Sequence, residues 1–197
     1  MTCGGQALLA PIDLPAEPAR LEFTLVAVLD SSLTNKPISN LMDTLFKLIN
    51  HGVYVIGVAD GERRNAFTAA WVMQVSFKPP LLAISINPQH YSFQLMQASG
   101  ICSVNVLDQH QMPLAEHFGR SDIADKMSGF NWQTKTTGAP ILTSSLAYFD
   151  CEVSHYTEAG DHQIAVCHVL SAAKLNQGQP LLYAQTGNMD GSQECYE

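Results

Sequence analysis

The sequence predicts a mainly β fold with inserted helices: a small antiparallel barrel carrying covering helices. Three observations lead there. Runs dense in aliphatic and β-branched residues recur at close spacing, at 53–59, 65–76, 81–87, 101–107, 146–155 and 163–173, and short strands so spaced mark a barrel or sandwich. Two or three helical patterns interrupt them, without the regular strand–helix alternation that a parallel α/β sheet needs. Turn chemistry sits where antiparallel hairpins require it, with Asp60-Gly61 after the first run and Glu158-Ala159-Gly160-Asp161 between the last two.

Taken in order, residues 1–39 read as an N-terminal arm. Pro11, Pro15 and Pro18 break it, and a strand fits 21–29 around Phe23, Val26 and Val28. A helix is expected over 40–51. Asn40 is its N-cap, Leu41, Leu45, Leu48 and Ile49 share a face that would cover the barrel, and Gly52 stops it. The strand 53–59 turns at Asp60-Gly61 into one returning strand, which passes Asn65 and Thr68 and ends near Ser76. Pro79-Pro80 withdraws two backbone donors, so the chain must leave any ladder there. The strand 81–87 follows, then a helix over 92–99 that Gly100 stops, a strand over 101–107 and a helix over 112–118 that ends at Gly119. Residues 119–140 are polar and irregular, anchored by Phe130 and Trp132. The final hairpin completes a domain over 40–187, and 188–197 is a polar C-terminal tail.

Composition excludes several classes. A formal net charge of −8 leaves no basic surplus to displace phosphate counterions, so neither nucleic acid nor an anionic membrane surface is an expected partner. The apolar runs are far short of a membrane span, and no basic stretch precedes Ala7-Leu8-Leu9-Ala10 as in an export signal. The five cysteines show no Cys-x-x-Cys spacing; Cys102, Cys151 and Cys167 fall inside apolar strand patterns, as small hydrophobes do. A reducing, cytoplasmic setting is expected. No metal site is expected: His110 and His117 lack a completing acid, and Cys167-His168 points to opposite faces of a strand. Gly-x-Ser-x-Gly and Gly-x-Gly-x-x-Gly are both absent, which argues against a serine hydrolase elbow and a Rossmann domain.

The chain is organised around 65–92. Asn65-Ala66-Phe67-Thr68 precedes the small residues Ala69 and Ala70, then come Ser76-Phe77-Lys78-Pro79-Pro80 and the polar loop His90-Tyr91-Ser92 at a helix start. Free N–H groups at a helix start favour an anion, and small residues let a flat group approach the backbone. With Val104-Asn105-Val106-Leu107, Asp125-Lys126, Gly138-Ala139-Pro140, Cys151-Glu152-Val153, Gly160-Asp161-His162 and Pro180-Leu181-Leu182-Tyr183 in order, this set resembles the flavin reductase-like family over about residues 50–187. Ala70-Trp71-Val72-Met73-Gln74-Val75-Ser76-Phe77-Lys78-Pro79-Pro80 is similar to the flavin reductase domain of flavodiiron proteins.

The resemblance implies an FMN-binding split β-barrel of Greek-key type, paired as a homodimer, that transfers hydride from NADH or NADPH to flavin. FMN is the expected cofactor, with FAD or riboflavin as alternatives. The resemblance assigns cofactor binding to Asn65, Thr68, Ala69, Ala70, Ser76, His90, Tyr91, Ser92, Asn105 and Lys126. Within that set, the Thr68-Ala69-Ala70 backbone would serve the ring, and Ser76, His90 and Ser92 the phosphate. His162 would face the nicotinamide as the catalytic residue, with Asp161 orienting it. A partner oxygenase or redox protein would take the reduced flavin. Two other readings stay open: an electron carrier like flavoredoxin, and a non-catalytic flavin-binding module, the latter because Ala66 stands where the family usually has Gly.

Overall fold

A computed structural model describes residues 45–187 and 189. Its elements are β1 (Tyr54–Asp60), β2 (Arg63–Ala69), β3 (Val72–Ser76), β4 (Leu81–Ile86), α1 (Tyr91–Ser99), β5 (Ile101–Val106), α2 (Met112–Gly119), β6 (Trp132–Gln133), β7 (Ile141–Leu142), β8 (Ala147–Ala159) and β9 (His162–Lys174), followed by a 3-10 turn at Tyr183–Gln185. Seven strands form one antiparallel sheet in the order β2-β1-β5-β8-β9-β4-β3, and β6 pairs with β7. The mainly β split barrel read from the sequence is the fold observed.

Strand β1 explains why the sheet rolls around two cores. Its side chains alternate between faces, yet Val55 through Ala59 are all buried. Ile56 and Val58 point into a core shared with Phe67, Ile84, Phe93 and Met96. Val53 and Val55 point into a second core with Leu107, Ala115, Phe118 and Leu142. Helix α1 therefore packs on one side of the sheet and α2 on the other. Each aliphatic side chain so buried contributes about 1.5–3 kcal/mol. Gly100 ends α1 at φ +71°, its N–H bonded to the Met96 carbonyl at 2.8 Å, the stop the sequence predicts. Cys102, Cys151 and Cys167 are free and wholly buried in the first core, as expected of small hydrophobes.

Polar side chains tie 137–142 onto the second face. Ser103 Oγ donates to the Pro140 carbonyl at 2.6 Å, and the Leu142 N–H donates to Asn105 Oδ1 at 2.8 Å. The Asp150 carboxylate, fully buried, accepts from the Thr137 N–H at 3.0 Å and from the Thr137 hydroxyl.

Four expectations change. The single returning strand over 65–76 is two strands. Tyr54 pairs with Ala69 at the end of the β1–β2 ladder, so beyond Ala69 the chain has no β1 residue to bond. It turns at Ala70-Trp71 and joins β4 as β3. Residues 119–140 are not wholly irregular, because Trp132–Gln133 pairs with Ile141–Leu142. Helix α1 starts one residue earlier than expected, with His90 as its N-cap. The helix expected over 40–51 lies partly outside the described residues. Within them, 45 and 46 are helical, 47 and 48 form a turn, and Leu45, Leu48 and Ile49 are exposed, so these residues do not cover the barrel. The arm over 1–39, the tail over 190–197, and Cys3 and Cys195 are outside the described residues. No helix among the described residues is long and apolar enough to cross a membrane.

Gly57 is where β1 and the 137–142 segment touch. A Cβ there would penetrate the Pro140 carbonyl oxygen and lie 2.6 Å from Ser103 Oγ. Both groups are held by their mutual hydrogen bond, so neither yields cheaply. Gly57→Ala is expected to destabilise the protein by about 1–3 kcal/mol, the usual penalty of overpacking. Urea unfolding checks this: a midpoint equal to wild type would mean that 137–142 shifts freely.

Candidate functional site

The break between β2 and β3 opens a cavity of about 580 Å³. The Val72 N–H bonds back to the Ala70 carbonyl at 3.0 Å, and the Trp71 carbonyl accepts the Ser85 N–H at 2.9 Å. The turn is thus pinned across the end of β4, with Thr68, Ala69, Ala70 and Trp71 lining one wall. Ser85, Ile86, Asn87 and His90 continue the lining, and Val53 and Tyr183 add to it. Because Ser85 and Ile86 pair with Ile164 and Gln163, the β8–β9 turn lands beside them. That register brings Asp161 and His162 to the mouth.

Each wall has a chemical character. The Thr68 hydroxyl donates to the Ala115 carbonyl of α2 at 2.6 Å, which turns it away from ligand chemistry. The wall from Thr68 to Ala70 is therefore backbone plus methyl groups, with peptide donors and acceptors. Trp71, 43 % exposed, stands beside His162 with ring centroids 5.1 Å apart and planes tilted by 57°. His162 Nδ1 lies 2.9 Å from Asp161 Oδ1. An ionised carboxylate only accepts, so Nδ1 carries the proton, and in the neutral ring Nε2 is left as an acceptor. The hydrogen bond and the charge of His162 hold the Asp161 carboxyl below its usual range.

His90 sits at the N-terminus of α1, which has no side-chain cap. Partial shielding from water lowers its imidazole below the usual value, and the positive charges of Lys126 and His162 push the same way. Lys126 is itself lowered by burial, its Nζ donating to the Phe118 carbonyl at 3.1 Å. The cavity therefore has the His90 imidazole beside a helix start without a side-chain cap, with Lys126 in electrostatic reach and its charge partly offset by Asp122. An anion with several acceptor oxygens matches that set.

The structure brings Thr68, Ala69, Ala70, His90, Asp161 and His162 together around this cavity. Lys126 acts on it through charge from behind. The other expected residues lie elsewhere. Ser92 is buried, and its Oγ accepts from Asn65 Nδ2 at 3.1 Å, so this pair ties β2 to α1. Asn105 is wholly buried; its amide donates to the Val55 carbonyl and to Ser103 Oγ, both at 2.9 Å, and it holds sheet to loop. Tyr91 is half exposed and Ser76 ends β3; neither lines the cavity. Sequence reasoning missed Ser85, Asn87 and Met189, and gave Tyr183 no role. Trp71 had one signal: a large aromatic directly after two alanines in a strand pattern.

The comparisons with known proteins agree with this architecture. The chain belongs to the flavin reductase like domain family, which it matches over residues 46–192. It is 33% identical over 132 residues to the reductase subunit HsaB of a flavin-dependent monooxygenase from Rhodococcus jostii, covering 67% of each chain. It is 32% identical over 121 residues to the FMN reductase (NADH) RutF of Stutzerimonas stutzeri, covering 61% of this chain and 70% of that one. It is also 36% identical over 124 residues to diflavin flavoprotein A 1 of Synechocystis, covering 61% of this chain but 22% of that far longer protein. Among solved structures, the NADH:FAD oxidoreductase SgcE6 of Streptomyces globisporus superposes with a TM-score of 0.68 at 25% identity, over 74% of this chain and 87% of that one.

Proposed function

We propose that the protein is a flavin reductase that holds FMN in the cavity at the β2–β3 break and reduces it with NADH. The observation that carries this reading is the wall from Thr68 to Ala70. Its hydroxyl is engaged elsewhere and its side chains end at methyl groups, leaving a seat for a planar ring edged by peptide groups. The cavity, about 580 Å³, is of the size that cofactor sites have, roughly 300–1,000 Å³. His90 and the start of α1 suit the phosphate, and Lys126 adds positive charge behind them.

When bound, the flavin supplies the redox chemistry by accepting hydride, which needs no side-chain acid or base. The protein positions the reactants. Asp161 fixes the ring of His162, and His162 with Trp71 shapes the mouth where the nicotinamide enters, narrowing it against water. The unit spans 40–187 in this reading and works in the cytoplasm. By analogy with the HsaB subunit, a partner oxygenase would use the reduced flavin. NADPH is the competing donor.

Anaerobic mixing of the FMN-loaded protein with NADH tests the proposal through bleaching of the flavin absorbance. His162→Ala is expected to slow this step about tenfold or more, equivalent to about 1.4 kcal/mol of positioning, with FMN affinity nearly unchanged. Failure to bind FMN would overturn the reading; tight binding with no reduction by NADH or NADPH would favour an electron carrier.

A homodimer belongs to the same proposal. Edge strand β3 and the residue after it expose Met73, Val75 and Phe77 at 64%, 42% and 85%. An apolar row on an open edge invites pairing or aggregation unless covered. A second copy of the chain is the proposed cover. Sedimentation velocity should give twice the chain mass, with Phe77→Asp shifting it toward the monomer. A monomeric wild-type protein would contradict this.

A further inference from the structure

Hydride brings two electrons and one proton, so whatever accepts it in the cavity gains one negative charge. Shielded from bulk water, such a charge needs a cation close by. Among the described residues, none that lines the cavity is a lysine or an arginine. The ionisable residues of the lining are His90, Asp161, His162 and Tyr183. Lys126 stands outside the lining, its Nζ donating to the Phe118 carbonyl at 3.1 Å and its charge within reach of Asp122. A new positive charge in the lining can therefore form only on one of the two histidines.

The two are not placed alike. Shielding from water, with the charges of Lys126 and His162, holds the His90 imidazole below its usual value, so His90 is the poorer proton acceptor of the pair. His162 has partners for a charge. Its Nδ1 lies 2.9 Å from Asp161 Oδ1, and the Trp71 ring stands 5.1 Å from its own. An imidazolium there meets a carboxylate on one side and an aromatic ring on the other. The other neighbouring elements bring no further charge to it. Strand β8 sets Ala159 opposite His162 and turns Glu158 to the other face, and β4 runs on into the neutral Asn87. The His162 side chain is 22% exposed and that of Asp161 88%. The ring is thus near enough to the cavity for its charge to act there, and open enough to exchange protons with water.

From this arrangement we infer that His162 is a redox-linked proton site: it takes a proton from water at Nε2 when the acceptor in the cavity receives hydride, and returns it on reoxidation. The inference rests on the flavin reading and gives His162 a duty besides shaping the mouth. NADH, FMN, neutral His162 and one proton from water enter the step. NAD+, reduced FMN bearing one added negative charge, and the His162 imidazolium leave it. Nδ1 already carries its proton toward Asp161, so Nε2 is the atom that accepts. His162 gives nothing to the ring; it balances charge.

Nitrogen NMR of the FMN-loaded full chain, oxidised and then reduced without oxygen, follows the His162 ring across about pH 5 to 8, the range in which histidines titrate. The expected result is an interval of pH in which the ring is neutral with oxidised FMN and charged with reduced FMN. Linkage is reciprocal, so the imidazolium also favours the reduced state. Within that interval His162→Gln is expected to lower the midpoint potential by about 30 mV, the equivalent of a tenfold change for a two-electron couple. Asp161→Asn keeps an acceptor for Nδ1 but removes the counter-ion, and is expected to move the interval to lower pH. A His162 ring whose charge is the same in both redox states at every pH would overturn the inference and leave the flavin reading intact. A protein that holds no FMN would defeat the flavin reading, and this inference with it.

Discussion

The site depends on one event in the backbone. At Ala69 the β1–β2 ladder runs out of partners, and the chain turns through Ala70 and Trp71 to bond β4. Two backbone hydrogen bonds, Val72 to Ala70 and Ser85 to Trp71, hold that turn. A strand that changes partners leaves a gap in the sheet, and the peptide groups at the gap are not all spent on a ladder. A cavity bordered by backbone donors and acceptors follows without any dedicated loop.

The turn stays in place because its surroundings are rigid. The first core holds β1 from one side and the second from the other, with α2 fastened to β2 through Thr68 and Ala115. The pairing of β4 with β9 then carries the His162 hairpin tip to the mouth. Trp71 and His162 meet there from distant parts of the chain, Trp71 held by the backbone bond to Ser85 and His162 by the start of β9. Site geometry fixed by ladders varies less than geometry set by loop conformation.

Local signals made much of this legible in the sequence. Apolar periodicity located the main strands, Asp60-Gly61 and Gly160-Asp161 located hairpin turns, and Gly100 ended its helix. Small residues at Ala69-Ala70 and a histidine two residues after Gly160 stood out locally, their expected roles came from the resemblance to the flavin reductase-like family, and the structure places them around one cavity. Asn105 and Ser92 were not separable from ligand contacts. An amide or hydroxyl in a strand or helix start reads the same whether it meets a cofactor or, as here, a neighbouring carbonyl or amide. The partner switch after Ala69 was invisible because apolar alternation does not say which strand a residue bonds. The two-residue pair β6–β7 is too short to carry a period. Tyr183 and Met189 reach the cavity from a segment that crosses back after the last strand, a long-range contact with no local mark.

The central claim is that a planar cofactor rests against the backbone from Thr68 to Ala70. Titration of Ala69→Leu with FMN tests it most directly, with the thermal midpoint as control for folding. Extra methylenes on that wall would occupy the seat of the ring, so FMN affinity should fall by about tenfold or more while the protein stays folded. An unchanged FMN dissociation constant in a folded Ala69→Leu protein would contradict the account.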